Sequence, residues 1–275
     1  MKINGRSILA FVINRGKSHS LPKLALDFYW TQNVTDYVNL TPPPGERRAF
    51  DGILSYLTFL DSVQTCNVSH IKNSVTAPEI ALYMAEQISQ EAMHNQSYQY
   101  IIETVIKSDR RTHVYDFWQS DACGGLRLRI LKERCEFIAG LYQKYVDNST
   151  PENYFVSLLA DYLLEGLYFY NGFIFFYNLS SRMLMSGSAD IFRMINRDEL
   201  SHVQLYQKLI PEAMQVFPHS REQIYEMFAL AVEHQCKWTG HIVDPELLFD
   251  SERNPFLSEI VQPSNSHYGF QNENC

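Results

Sequence analysis

Two Glu-x-x-His pairs, Glu91 with His94 and Glu199 with His202, restrict what this chain can fold into more than any other feature. The first lies in TAPEIALYMAEQISQEAMHNQSYQYIIETVI, Thr76 to Ile106, where no Gly, and no Pro after Pro78, interrupts before a charged KSDRR patch. Pro78 suits a first helical turn and Thr76 is a fair cap, so the pattern predicts one long helix. At about 100° per residue, Glu91, His94 and Tyr98 then share a narrow stripe with Met84 and Gln87. The second pair lies in SADIFRMINRDELSHVQLYQKLI, 188–210, where a cap at Ser188 starts a helix with Ile195, Glu199 and His202 on one face. A carboxylate and an imidazole one turn apart can reach one ion or bracket two.

Two further carboxylates occupy inward positions. ERRAFDGILSYLTFLDSVQT sets Asp61 at the end of a stripe begun by Leu54 and Leu57, and ENYFVSLLADYLLEGLYFYNGFIFFYNL, 152–179, is apolar nearly all round with Glu165 in its midst. Helices of the latter kind are buried. GGLRLRILKERCEFIAGLYQKYV reads as a packing helix with its charges on one side, and SREQIYEMFALAVEHQCKWTGHIV as a last helix after Pro218. Four buried carboxylates without cations would repel one another and lose their hydration, whereas two divalent ions neutralise them. One carboxylate from each of two helices and a Glu-x-x-His pair from each of two others is the ligand set of di-iron and di-manganese carboxylate bundles, here with Asp61 in one Glu place. The expected fold is an all-α, ferritin-like helical bundle with a dinuclear metal site in its core. Residues 1–45 are expected to form an N-terminal arm, 46–243 the bundle and 244–275 a flexible tail.

Bulk properties exclude other classes. A net charge of -8 and a pI near 5.6, with no Lys/Arg cluster, oppose a nucleic-acid groove. The longest apolar run, GLYFYNGFIFFYNL, stops short of the roughly 18 residues of a membrane span. Five cysteines without CxxC spacing, on a chain opening MKINGRS, suggest reduced thiols and a cytoplasmic location.

Tyr98 sits one turn past His94. Phe169 and Phe173 lie one and two turns beyond Glu165, and Ile195 one turn before Glu199, so the phenol should sit in a dry pocket. A metal-oxygen oxidant beside it could take its hydrogen atom, and apolar walls would protect the resulting radical.

LDSVQ around Asp61, EAMHNQSY from Glu91 to Tyr98, LLEGLYFYNGF around Glu165 and INRDELSH from Ile195 to His202 resemble the ligand segments of the radical-generating small (beta) subunit of class I ribonucleotide reductases. The resemblance runs from about Asp27 to Trp238. It implies Asp61, Glu91, His94, Glu165, Glu199 and His202 as ligands of two iron or manganese ions and Tyr98 as the radical site. It also implies Trp30 and Asp198 as relay residues toward a large (alpha) subunit, with Asp198 holding a metal-bound histidine by its second nitrogen. Tyr268, the one tyrosine of the tail, is the candidate for the last relay step on this chain. A homodimer and a flavoprotein activator are further expectations of the resemblance. Rival readings are a di-metal oxidase or oxygenase acting on its own substrate, and a metal-storage bundle.

Overall fold

The computed structural model describes residues 44–119 and 126–242, and among these every regular element is helical. The helices are α1 (Pro44–Asn73), α2 (Pro78–Val105), α3 (Ser108–Asp116), α4 (Leu126–Asp147), α5 (Pro151–Leu163), α6 (Tyr170–Ser181), α7 (Ser186–Met214) and α8 (Arg221–Ile242). A 3₁₀ turn, Phe117–Gln119, follows α3, and a π-helical stretch, Leu164–Tyr168, joins α5 to α6. Helices α1 and α2 lie side by side, α7 packs on α2, α5 and α6, and α4 lies against α1, α5 and α8. Trp30 and Tyr268 lie outside the described residues.

Sequence and structure differ at three helix boundaries. Ala77, not Thr76, caps α2, in an extended conformation (φ -81°, ψ 115°) with no side-chain bond. A residue that precedes proline is driven out of the helical region, so Pro78 itself sets this start. Helix α7 begins before Ser188, at Ser186, after Met185 in the left-handed region (φ 51°), and Ser188 is buried within the helix. The predicted helix over 152–179 is not continuous: the Phe169 amide donates to the Leu164 carbonyl at 3.3 Å, a five-residue step that inserts an extra residue into the turn carrying Glu165. Such π-bulges gather at functional sites because they redirect side chains without ending the helix.

The core between these helices is largely aromatic. Phe50 packs on Phe175 and Phe176, and Phe176 stacks on Phe192 with ring centres 3.9 Å apart, joining α1, α6 and α7. Gly172 lets α6 approach α1: a Cβ there would lie 2.8 Å from the Tyr56 hydroxyl and 3.1 Å from both Ile53 and Leu57. Gly172→Ala should therefore destabilise the fold by about 1–3 kcal/mol through overpacking, despite alanine's better helix propensity. Urea denaturation at unchanged m-value measures this, and a more stable mutant would refute it.

Candidate metal centre

Each inward carboxylate of the sequence arrives from a different element. Asp61 comes from mid-α1, Glu91 and His94 from α2, Glu165 from the π-helical turn, and Glu199 and His202 from α7, and all six are fully buried. Two overlapping groups, Asp61, Glu91, His94, Glu199 and Glu91, Glu165, Glu199, His202, each present ligand atoms within 4.8 Å of one another. Glu91 and Glu199 belong to both, so they lie between two ligand sets, each completed by one histidine.

The histidines are arranged alike. His94 Nδ1 lies 3.0 Å from Glu199 Oε1 and 3.5 Å from Glu91 Oε2, while its Nε2 points away, 3.5 Å from Asp198 Oδ2. His202 Nδ1 lies 2.7 Å from Glu199 Oε2 and 3.2 Å from Glu91 Oε1, while its Nε2 meets Gln90 Oε1 at 2.9 Å. A side-chain amide oxygen only accepts, so Nε2 of His202 donates to Gln90, while Nδ1 donates to Glu199 as long as the ring is protonated and is the atom left free for an ion once that proton leaves. Gln90, Gln64 and Gln87 are the residues that the sequence reading missed in this role. Glu165 Oε1 accepts from Gln64 at 2.7 Å and Gln87 at 2.8 Å, and these amides in turn accept from the hydroxyls of Tyr142 (2.6 Å) and Tyr206 (3.2 Å). Only helical spacing signals them: Gln64 follows Asp61 by one turn and Gln87 precedes Glu91 by one.

Several oxygens of this cluster face inward with no hydrogen bond: both of Asp61, Oε2 of Glu91, Oε2 of Glu165 and Oε1 of Glu199. Orphaned acceptors of this number in a dry core are costly unless cations bind them, so the donor set fits a pair of hard or borderline divalent ions. Without ions, the charges rearrange. Burial, then the Glu91 and Glu199 charges, raise the Asp61 pKa well above the carboxylate range, and burial, then Glu199 and Glu91, do the same to Glu165. Burial opposes charge on both imidazoles, but Glu199 beside His94, and Glu165 with Glu91 beside His202, raise their pKa values well above the usual range. Glu91 and Glu199 are pushed up by burial yet end below their ordinary range, because the imidazoliums outweigh it.

Tyr98 is buried one turn beyond His94, its hydroxyl without a partner. Burial, followed by the Asp61, Glu199 and Glu91 charges, holds the phenol protonated well above its usual range. The ring against it is Phe192, stacked at 5.5 Å, which the sequence reading did not single out although it lies one turn before Ile195 on the same stripe. Phe173 packs on Phe192 at 5.8 Å and Phe169 on Phe173 at 6.2 Å, and these residues and Ile195 are fully buried.

Comparison with known proteins gives a consistent set. Residues 27–255 match the family model described as ribonucleotide reductase, small chain. The chain is 36% identical over 222 residues to the ribonucleoside-diphosphate reductase subunit beta of Treponema pallidum, covering 79% of this chain and 61% of that one, less than two thirds of the relative's length. The solved R2 subunit from Clostridium botulinum superposes with a TM-score of 0.77 at 34% identity, over 88% of this chain and 75% of that one. The dimanganese(II)-NrdF of Streptococcus sanguinis, at 18% identity and a TM-score of 0.72 over 88% of this chain and 81% of that one, shares the fold.

Proposed function

The chain belongs to the ribonucleotide reductase small-chain family, and from that premise we propose that it stores an oxidising equivalent as a radical on Tyr98 for use by a separate large subunit in making deoxyribonucleotides. The observation that carries this reading is a partnerless, fully buried phenol one turn from a six-ligand, two-ion donor set. Asp61, Glu91, His94, Glu165, Glu199 and His202 would hold the ions, iron or manganese, with Glu91 and Glu199 shared between the two positions. Bound there, the ions would supply redox chemistry that lets an oxygen-derived oxidant act on the phenol.

The chain's own groups do the rest. Tyr98 gives up an electron and its hydroxyl proton together, the proton passing into the carboxylate cluster, of which Asp61 acts most strongly on the phenol. Phe192, Phe173, Phe169 and Ile195 exclude water and reductants from the ring. Asp198 fixes His94 from behind and, with Trp30, forms the outward relay to the large subunit, with Tyr268 as the last step on this chain. The subunit acts as a homodimer. A flavoprotein activator is a further partner that this reading allows.

Loading the purified protein with iron or manganese, adding dioxygen and recording electron paramagnetic resonance tests it directly. A persistent tyrosine signal, with nucleotide reduction when the large subunit is added, is the expected result. Turnover of a small substrate by the isolated chain would instead favour an oxidase. Gln90→Leu should fold normally yet bind metal roughly 10–100-fold more weakly, because the His202 ring loses the acceptor that fixes its tautomer. Chelator competition measures this, and wild-type affinity would show that Gln90 does not orient the ring.

A further inference from the structure

Arg134, on α4, is fully buried, yet no acid meets it among the described residues: Nη2 donates to the Tyr168 carbonyl at 3.1 Å and to Gln235 at 2.9 Å, while Nε and Nη1 find no acceptor. Aromatic rings surround the charge instead. The guanidinium carbon lies 4.8 Å from the ring centre of Tyr56, 4.9 Å from Tyr168 and 5.4 Å from Trp238. A buried cation without a counter-ion is costly to keep, so its place among three oxidisable rings calls for a function.

Those rings are near the radical site. Tyr56 is close enough to Tyr98 to add to the carboxylates in keeping it protonated, and Tyr168 follows Glu165 by three residues in the π-helical turn. Tyr168 also has what an oxidised phenol needs, a base, since its hydroxyl lies 2.9 Å from His234 Nδ1. Burial, then the Arg134 charge, lower the His234 pKa, so the imidazole is neutral and able to accept.

We propose that Arg134 is a positioning residue for the radical: its charge keeps Tyr56, Tyr168 and Trp238 reduced and so confines the oxidising equivalent to Tyr98, an inference that rests on the function proposed above. A cation held over a ring attracts the electron-rich face and repels the hole that oxidation would leave there. Burial leaves this repulsion little screened by salt. The leak it prevents balances as follows. Tyr168 passes one electron to the Tyr98 radical and its phenolic proton to His234 Nδ1, while Tyr98 regains from the carboxylate cluster the proton it gave up and becomes a phenol again. The products are a Tyr168 radical and an imidazolium close to the guanidinium, an arrangement that the Arg134 charge opposes.

The test uses the full chain, loaded with iron or manganese and oxidised, with freeze-quench electron paramagnetic resonance and ring-deuterated tyrosine to separate tyrosine signals. Arg134→Met should bind both ions but lose most of the Tyr98 signal, or shorten its lifetime several-fold, as a second aromatic radical appears. Adding Tyr168→Phe should restore Tyr98. Arg134→Lys keeps the charge and should behave like wild type. An unchanged Tyr98 yield and lifetime in Arg134→Met overturns the inference while leaving the proposed function intact. If that variant does not fold, Tyr168→Phe alone decides: with Arg134 in place it should leave the Tyr98 signal unchanged, and a longer-lived signal would mean that Arg134 does not confine the radical. Absence of any Tyr98 signal in the wild type fails the proposed function, and the inference with it.

Discussion

Tyr98→Phe is expected to hold both ions and consume dioxygen, yet to show no persistent tyrosine radical and to support no nucleotide reduction with the large subunit. The substitution removes one oxygen atom and nothing else of consequence to packing, because the stacked Phe192 ring contacts the face of the phenol, not its hydroxyl. That hydroxyl is buried without a partner, a situation that costs about 1–3 kcal/mol, so thermal stability should be equal or higher in the mutant. A loss of function together with unchanged stability and metal content locates the defect in redox chemistry. Wild-type turnover in the mutant would remove Tyr98 from the mechanism.

The stripe logic that leads to Tyr98 also shows why part of the molecule was legible from sequence and part was not. Carboxylate and imidazole at a one-turn interval stand out against an apolar helix face, so the six residues of the cluster could be placed on their helices before any coordinates. The ends of those helices could not: Thr76 and Ser188 have good capping side chains, but Pro78 and the left-handed Met185 determine where the chain turns. The π-helical turn at Glu165 is invisible to periodicity because the segment is apolar on every side, and a shift of one residue leaves its pattern unchanged. Gln64, Gln87 and Gln90 give no sign of their role in the sequence for a different reason. An amide has no chemistry of its own, and its value at this site appears only when the oxygen or nitrogen it orients is seen. Arg134 reads as part of a charged side of a packing helix, yet it is 1% exposed, since three rings from α1, the π-helical turn and α8 close over it.

Asp61→Ala should bind no more than one ion per chain while its metal-free form remains folded and at least as stable as wild type. Both Asp61 oxygens lack partners and its carboxyl pKa is raised, chiefly by burial, so the metal-free protein gains nothing from its charge. The sign follows from linkage: a carboxyl whose folded pKa lies above its unfolded value lowers stability as pH rises through that interval, and the mutation removes this penalty. With ions the balance reverses. Asp61, Glu165, His94 and His202 all hold their protons more tightly in the metal-free cluster than in water, so filling it should release protons, and affinity should rise with pH. Calorimetry in buffers of different ionisation enthalpy counts those protons. At a free metal concentration about a thousandfold above the dissociation constant, each bound ion should add about 4 kcal/mol, raising the melting temperature by about 10 °C per ion in a chain of this size, and Asp61→Ala should lose the gain of at least one ion. Two ions retained per mutant chain would remove Asp61 from the ligand set, and a wild-type melting temperature indifferent to metal would show that this buried cluster is held together by its own protons and not by cations.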